Sequence, residues 1–283
     1  MKTGKIVAGL TAAALSAMMM SFAAAADEQT GYVSFTAIKS AIGQGFTVEP
    51  VNVPLYDGDT GIDIVKRAVG EDGVAVTESD YGAYITGFAD VDIGAEIPAE
   101  IIAVCPEMTG RNTEGYLSAY DYTAESGWSY FINGEYAQVG IGDYEPQDGD
   151  VLEFRYTVYG YGADLGIDNS SWGGAAALIE QVDASELIRK CAGSPDPEGA
   201  LELLAKYGVT QSEIDAAAAG MEDAAEVQPT EDAASADNSG EENSAPAAAE
   251  DKGSPDTGVE GAAAVLGLMI LACGAVAVSR KSR

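Results

Sequence analysis

The stretch SGWSYFINGEY, residues Ser126–Tyr136, decides the fold that we predict for this chain. Alternate residues from Trp128 to Ile132 fall on one side of an extended strand. The pair Asn133–Gly134 that follows is a strong hairpin signal, because both central positions of a two-residue turn need a positive φ. We therefore predict a β-hairpin with EYAQVGI (135–141) as its return strand. The aromatic residues of the hairpin are either the core of a small β-domain or a face that holds a ligand.

The segments on either side of the hairpin also have strand patterns. In VLEFRYTVY (151–159) the even-numbered positions are apolar and the odd-numbered positions are mixed. YVSFTAI (32–38) alternates in the same way, FTVEPVNVPLY (46–56) is extended chain interrupted by prolines, and AYITGFADVDI (83–93) is a short strand region. The sheet should therefore have one apolar face and one mixed face.

One segment changes its apolar period from two residues to that of a helix. In YDGDTGIDIVKRAVG (56–70), Thr60 and Asp63 have the spacing of a capping box. An apolar stripe starts at Ile62, and Gly70 should end the helix. The predicted fold class is therefore α+β, with a small, mostly antiparallel β-sheet packed on one helix.

The composition changes after the β-rich part, which we place at residues 27–168. Residues 169–219 have the pattern of short helices, and this helical extension is either a small cap on the domain or a docking surface for a partner. Residues 220–253 contain no aromatic residue and are rich in Ala, Glu, Asp, Ser and Pro. Such a segment cannot bury enough apolar surface to offset the entropy of ordering, so we predict a disordered acidic linker.

The N-terminus has the three parts of a secretory signal peptide. The positive stretch MKTGK precedes an apolar run, and AAAA ends the run immediately before Asp27. We predict that residues 1–26 are removed by cleavage between Ala26 and Asp27. An uncleaved membrane anchor is the alternative.

The C-terminus combines an apolar segment with a basic end. Residues 261–278 are uncharged and largely apolar, which is near the lower limit for a transmembrane helix. Basic residues follow them, and positive charge at this place should stay in the cytoplasm. A permanent transmembrane protein is one interpretation of residues 254–283.

The motif before this apolar segment favours another interpretation. SPDTG resembles the LPxTG sorting signal of Gram-positive wall-anchored proteins, although its first residue is Ser instead of Leu. The resemblance implies a membrane-spanning precursor that a sortase cleaves, after which Thr257 is joined to the peptidoglycan cross-bridge. The protein would then be extracellular and anchored to the cell wall. The five motif residues are Ser254, Pro255, Asp256, Thr257 and Gly258.

Composition excludes several classes of function. The formal net charge of −32 repels nucleic acid and anionic membranes. The chain has no histidine, which removes Ser-His-Asp and Cys-His catalysis and every His-based metal site. We therefore expect a protein that is not an enzyme, with no catalytic residue, metal site or cofactor. Cys105 and Cys191 either pair after export or stay free, and Cys273 lies in the apolar tail.

Residues 31–168 resemble the transcobalamin-like C-terminal domain family of bacterial surface proteins and vertebrate cobalamin carriers. The pattern has a Gly-Trp-x-Tyr-x-x-Asn-Gly hairpin, a Gly-Asp turn and a strand that ends near an Arg-aromatic pair. VPLYDGDTGIDIVKRAV (53–69) and YGYGADLG (159–166) also match. The matching positions of the hairpin and strand are Gly127, Trp128, Tyr130, Asn133, Gly134, Gly149, Asp150, Arg155 and Tyr156.

The resemblance implies an α+β domain with a corrinoid as its ligand. In the cobalamin carriers this domain is the smaller of two and closes over the vitamin from one side, and we expect no counterpart of the larger helical domain here. The predicted ligand-binding residues are Trp128, Tyr130, Asn133 and Tyr136, although Trp128 also fits a place in the core. We expect a cell-surface, non-enzymatic ligand-binding protein. The alternative is a structural or adhesive surface protein that binds host glycan or another protein.

Overall fold

The computed structural model describes residues 28–79 and 82–222. The predicted signal peptide with its cleavage site at Ala26 and Asp27 lies outside these residues. So do the linker after residue 222, the SPDTG motif and the apolar segment 261–278. Within the described ranges, no helix is long and apolar enough to span a bilayer.

The strands form where β-branched and aromatic residues concentrate, and the helices form where apolar residues recur at helical spacing. The strands of the described part are β1 (Gln29–Ile38), β2 (Phe46–Tyr56), β3 (Val74–Ser79), β4 (Gly82–Ala89), β5 (Tyr116–Ser118), β6 (Gly127–Ile132), β7 (Glu135–Tyr136) and β8 (Val151–Thr157). Its α-helices are α1 (Gly61–Val69), α2 (Ala99–Val104), α3 (Ser185–Gly193), α4 (Glu198–Leu204) and α5 (Gln211–Gly220).

Five strands form one sheet in the order β2-β1-β8-β6-β7. β1 and β8 are parallel, and the other neighbouring pairs are antiparallel. This confirms the predicted, mostly antiparallel sheet. Pro50 and Pro54 both lie on β2. Because β2 is an edge strand, its missing N–H donors are tolerated there.

The predicted hairpin at Asn133–Gly134 joins β6 to β7. The two residues have φ values of 50° and 82°, as a two-residue turn requires. The return strand is shorter than predicted and ends at Tyr136. The hydroxyl of Tyr130 donates to the carbonyl of Val139, and this bond attaches the chain that follows Tyr136 to β6. Ile141, two residues further on, is buried.

Helix α1 begins and ends where the sequence predicts. The backbone N–H of Thr60 donates to the Asp63 carboxylate over 2.8 Å, which is one half of a capping box. Gly70 follows the helix with a positive φ of 81°. Ile64 and Val65 are fully buried, so the apolar face of α1 packs into the core beside β1 and β2.

A second sheet, β3-β4-β5, packs on the side of the five-stranded sheet where α1 lies. Phe88 of β4 is at the centre of this core. Its ring centroid is 4.9 Å from that of Trp128 and 5.3 Å from that of Phe154, both in edge-to-face contact. The even-numbered residues of β8 therefore face an apolar core, as their alternation predicts.

The opposite face of the five-stranded sheet is also covered, by helices α3–α5. Leu187 and Ile188 of α3 pack with Val151 of β8 in a separate apolar cluster that also contains Ile214 of α5. All seven residues of β8 are buried in consequence. This corrects the expectation of a sheet packed on one helix, because the mixed face of β8 is covered by helices that come later in the chain.

Both cysteines of the described part are free thiols. Cys105 follows α2 and is half-buried, whereas Cys191 is buried in α3. Burial raises the pKa of the Cys191 thiol to about 11, so this thiol stays protonated at neutral pH. The disulfide that the sequence left open is not formed in this structure.

Candidate functional site

Trp128 is a core residue. Its side chain is 5% exposed, and its indole N–H donates to the carbonyl of Leu117 over 2.9 Å. Its ring packs edge-to-face on Phe88 and on Tyr156, the latter with centroids 5.1 Å apart. The ligand-contacting role that the sequence suggested for Trp128 is therefore replaced by a structural one, since its ring is buried against other aromatic rings and its one donor is used inside the fold.

Asn133 joins the hairpin to the start of β8. Its side-chain oxygen accepts from the N–H of Val151 over 2.9 Å, and its side-chain amide donates to Asp150 over 2.8 Å. The second oxygen of Asp150 accepts from the hydroxyl of Tyr144 over 2.6 Å. Hydrogen bonds thus link the Asn-Gly turn of the sequence pattern to its Gly-Asp turn. This structural role explains the presence of both turns without a ligand.

Tyr130 and Tyr136 lie half-buried at the edge of β6. The ring of Tyr130 stacks on Phe154 with centroids 5.5 Å apart and an interplanar angle of 23°. Tyr136 packs edge-to-face on Phe131 with centroids 5.7 Å apart. Desolvation raises the pKa of both phenols, and the Tyr130 hydroxyl already donates its one proton to the carbonyl of Val139.

Two further tyrosines, which sequence reasoning missed, complete this surface. Tyr84 of β4 is 46% exposed and Tyr120 of the β5–β6 loop is 56% exposed. A side chain at Gly127 would have its Cβ 3.5 Å from the Tyr84 hydroxyl, which places that hydroxyl over the start of β6. Burial raises the pKa of Tyr84, and the neighbouring Tyr120 and Tyr136 add to the rise.

We call Tyr84, Tyr120, Tyr130 and Tyr136 the tyrosine cluster. Three separate parts of the chain supply it, namely β4, the β5–β6 loop and the β6–β7 hairpin. Only Tyr130 and Tyr136 lie in the stretch that the sequence singled out. No local pattern marks the other two, because only the pairing of β4 with β5 and the packing of β4 near β6 bring them to this surface.

A buried group of charges fixes the long segment between β4 and β5. Asp90 accepts from the ammonium of Lys39 with both oxygens at 2.9 Å and from Arg111 at 2.7 Å. All three side chains are less than one-tenth exposed. Burial lowers the pKa of Lys39, and the hydrogen bond to Asp90 offsets only part of that fall. We call these three residues the ionic triad, and its role is structural.

A small cavity with both polar and apolar lining lies between β8 and the helices that cover it. Its volume is about 40 Å³, and its lining includes Glu153, Arg155, Asp164 and Tyr207. Arg155 and Glu153 form a two-bond ion pair at 2.6 and 2.7 Å. Pockets for drug-sized ligands begin at roughly 300 Å³, so this cavity has room for a few water molecules and not for a corrinoid.

The acidic turns of the described residues are occupied by other contacts. Arg67 forms a two-bond ion pair with Asp59 at 2.7 and 2.8 Å. Asp92 accepts from the N–H of Gly94 over 3.0 Å. In residues 28–79 and 82–222, no group of three or more Cys, Asp or Glu side chains is placed to hold a metal ion.

Part of the chain matches a known family model. Residues 113–158 match the family described as "Domain of unknown function (DUF4430)". This range runs from β5 to β8 and contains Tyr120, Tyr130 and Tyr136 of the tyrosine cluster. None of the curated proteins compared with the chain matches it.

Two solved structures resemble part of the chain. Haptocorrin in complex with Cbi is 19% identical, with a TM-score of 0.30, and the similarity covers 47% of this chain and 26% of haptocorrin. A candidate metal-binding protein of Ruminococcus gnavus ATCC 29149 is 14% identical, with a TM-score of 0.28, and the similarity covers 45% of this chain and 96% of that protein. Because both scores are low, neither the ligand of the first nor the name of the second is transferred to this chain.

Proposed function

We propose that this chain is a non-enzymatic ligand-binding protein displayed at the outer face of the cell wall, and that its ligand is a corrinoid. The observation that carries the proposal is the tyrosine cluster, in which two exposed rings and two half-buried rings surround the edge of β6. The resemblance to the transcobalamin-like family, which rests on the hairpin next to this cluster, supports the choice of ligand.

The chemistry of the tyrosine cluster suits a large, flat, amide-bearing ligand. Tyr84 and Tyr120 offer aromatic surface at the exterior. Their phenolic hydroxyls can donate hydrogen bonds to amide oxygens. Because the exposed rings belong to an open surface, the ligand would be covered from one side only. We therefore expect a Kd in the micromolar range, roughly −8 kcal/mol, and not the tighter binding of an enclosed site.

Corrinoid binding is the first experimental test. We expect cobalamin or cobinamide to bind the purified full chain saturably in a calorimetric titration. Replacing both Tyr84 and Tyr120 with Ala should weaken binding at least about tenfold, since losing an aromatic contact at a binding surface commonly costs more than about 1.4 kcal/mol. Replacing both residues with Phe should retain part of the affinity, because the rings remain and only the hydroxyls are lost.

Tyr161 provides a matched control for this experiment. It is 45% exposed, almost the same fraction as the 46% of Tyr84, but it lies in the loop after β8. Replacing Tyr161 with Ala should leave corrinoid binding unchanged. An absence of saturable binding would refute the proposed ligand, and an equal loss in the Tyr161 variant would mean that the tyrosine cluster is not the site.

Wall anchoring is proposed from the sequence and is tested separately. Replacing Thr257 with Ala should move the protein from the wall fraction released by muramidase to the membrane or the medium, because the predicted attachment residue is lost. Immunoblots of the three fractions would measure the shift. A conservative control is Thr257→Ser, which keeps a hydroxyl but not the methyl group. An unchanged distribution of the Thr257→Ala variant would contradict sorting by the SPDTG motif.

A further inference from the structure

Two exposed aromatic side chains lie on the loops that follow β8, apart from the tyrosine cluster in sequence. Trp172 is 82% exposed and Tyr161 is 45% exposed. Tryptophan is on average a highly buried residue, and Trp128, the second tryptophan of the chain, is in the core. A single exposed apolar residue needs no explanation. Two exposed aromatic residues whose backbones are bonded to the same residue do need one.

Asn169 is the common support of both loops. Its side-chain amide donates to the carbonyl of Gly160 over 2.9 Å and to the carbonyl of Tyr161 over 3.4 Å. Its backbone carbonyl accepts from the N–H of Trp172 over 3.1 Å, and its backbone N–H donates to Ala175 over 3.0 Å. One residue is therefore bonded to the backbone of both aromatic residues, and it links the two loops that carry them.

The backbone of these loops also has φ values that residues with a side chain rarely adopt. Tyr161 has a φ of 52°, although it is not a glycine. A Cβ atom at Gly160 would lie 2.7 Å from the Cβ atoms of Ala163 and Ala175, so the loop is packed too closely there for any side chain to fit at this position. Strained backbone that its surroundings enforce is found most often at functional sites. Here the strain holds a tyrosine, and not a glycine, at an exposed position of a fixed loop.

We propose that Tyr161 and Trp172 form a stacking site for neutral pyranose sugars of an oligosaccharide. The face of an aromatic ring carries partial negative charge, and it attracts the weakly positive C–H groups on the face of a pyranose. Sugars whose ring substituents are all equatorial, such as β-linked glucose and N-acetylglucosamine, offer the flattest C–H faces. They are therefore the class that this pair of rings fits best.

The polar groups next to the rings suit a sugar ligand. The negative charge of the chain indicates which sugars are excluded. Asp168 directly precedes Asn169 and accepts from the N–H of Ser170 over 2.8 Å. The Ser170 hydroxyl and, to a lesser extent, this N–H lower the pKa of Asp168, so an ionised carboxylate that can accept from sugar hydroxyls lies in the same loop as Trp172. The net charge of −32 disfavours uronic and sialic acids. The site should therefore select neutral sugars over anionic ones.

The experiment uses the two tryptophans as separate reporters. A ¹⁵N-labelled full chain has two indole N–H resonances, one for each tryptophan, and the Trp172→Phe variant assigns them. Titration with chitotriose or cellotriose should shift the Trp172 resonance along a saturable curve with a Kd between about 0.1 and 5 mM, as expected for a small, open site. The Trp128 resonance should not move, because that indole is buried and bonded to Leu117.

Variants decide whether both aromatic residues take part. Trp172→Ala should abolish binding, which a second probe such as the Asn169 side-chain amide resonances would report. Tyr161→Ala should weaken binding about tenfold, and Tyr161→Phe should weaken it less than threefold. Tyr84→Ala, which removes a tyrosine of equal exposure from the tyrosine cluster, should have no effect on sugar binding.

Three results would overturn the proposal. The first is an unmoved Trp172 resonance at 20 mM of either sugar, a concentration about fourfold above the weakest expected Kd. The second is equal binding of trigalacturonic acid, which would mean that the charge argument fails. The third is a shift with tetramethylammonium but not with sugar, which would assign the rings to cation binding. None of these depends on corrinoid binding, because the two tests use different variants and different reporters.

Discussion

Replacing Asp90 with Asn is expected to lower the free energy of unfolding by about 3–5 kcal/mol. Asp90 is the one carboxylate within hydrogen-bonding distance of both Lys39 and Arg111 in the ionic triad, at 2.9 and 2.7 Å. Its loss would leave two buried positive charges whose nearest remaining carboxylate is Asp92, which is 54% exposed and 3.7 Å from Arg111. Urea denaturation at neutral pH, followed by circular dichroism, would measure the change in midpoint at constant slope.

The exposed ion pair of Lys66 and Glu71 is the control for that measurement. Its atoms are 3.0 Å apart, but the side chains are 35% and 77% exposed. Glu71→Gln should therefore cost about 0.5 kcal/mol or less. If Asp90→Asn costs no more than Glu71→Gln, the triad is solvated in solution and does not hold the segment between β4 and β5.

The second large effect is a dependence of stability on pH that comes from Asp164. This carboxylate is fully buried beside the small cavity under helices α3–α5, where it accepts from the hydroxyl of Thr157 and from the N–H of Val158. Burial raises its pKa from 3.8 to about 6 despite these hydrogen bonds. The difference corresponds to roughly 3 kcal/mol between the protonated and the ionised state.

The direction of this pH dependence follows because the folded state binds the proton of Asp164 more tightly than the unfolded state does. The stabilisation is fully present below pH 4, is lost as the pH rises through about 6, and stays lost above that. At pH 4 we expect Asp164→Asn to be about as stable as the natural chain, because the protonated carboxyl, like an amide, offers a donor to the Thr157 hydroxyl and a carbonyl oxygen to the Val158 N–H. Between pH 4 and pH 7, however, the natural chain should lose roughly 3 kcal/mol more of its free energy of unfolding than the Asp164→Asn variant does.

Measuring both proteins at several pH values separates this effect from the titration of other carboxylates. The chain has 46 acidic residues, and their mutual repulsion also grows with pH in both proteins. The difference between the two pH profiles removes that common contribution. Parallel profiles would mean that Asp164 has an ordinary pKa, and that water reaches it through the cavity.

The features predicted correctly from the sequence are those that depend on neighbours in the chain. The Asn133–Gly134 turn follows from the positive φ that both positions need. The start of α1 follows from two side chains three residues apart, and the alternation of β8 follows from the two-residue period of a strand. Each of these signals is complete within about ten residues, so a single sequence contains it.

The sequence predicted only part of the candidate site, because some of its residues come from distant parts of the chain. Tyr130 and Tyr136 were recognised because they lie in the hairpin, whereas Tyr84 is about 50 residues away along the chain and joins them through sheet packing. The hairpin pattern also identified Trp128, because this residue lies in the same strand as Tyr130. The alternation placed the two on one face but could not show that Phe88 and Leu117 would cover the indole.

The amino-acid sequence by itself determined the hairpin, the helix caps, the strand periodicity and the α+β class, because these depend on backbone geometry and local hydrogen bonds. The tertiary structure alone decided which faces are covered. Helices α3–α5 bury the mixed face of β8, and distant segments assemble both the ionic triad and the tyrosine cluster. The physical reason is that burial depends on contacts between residues far apart in the chain, and no local pattern specifies which partners will meet.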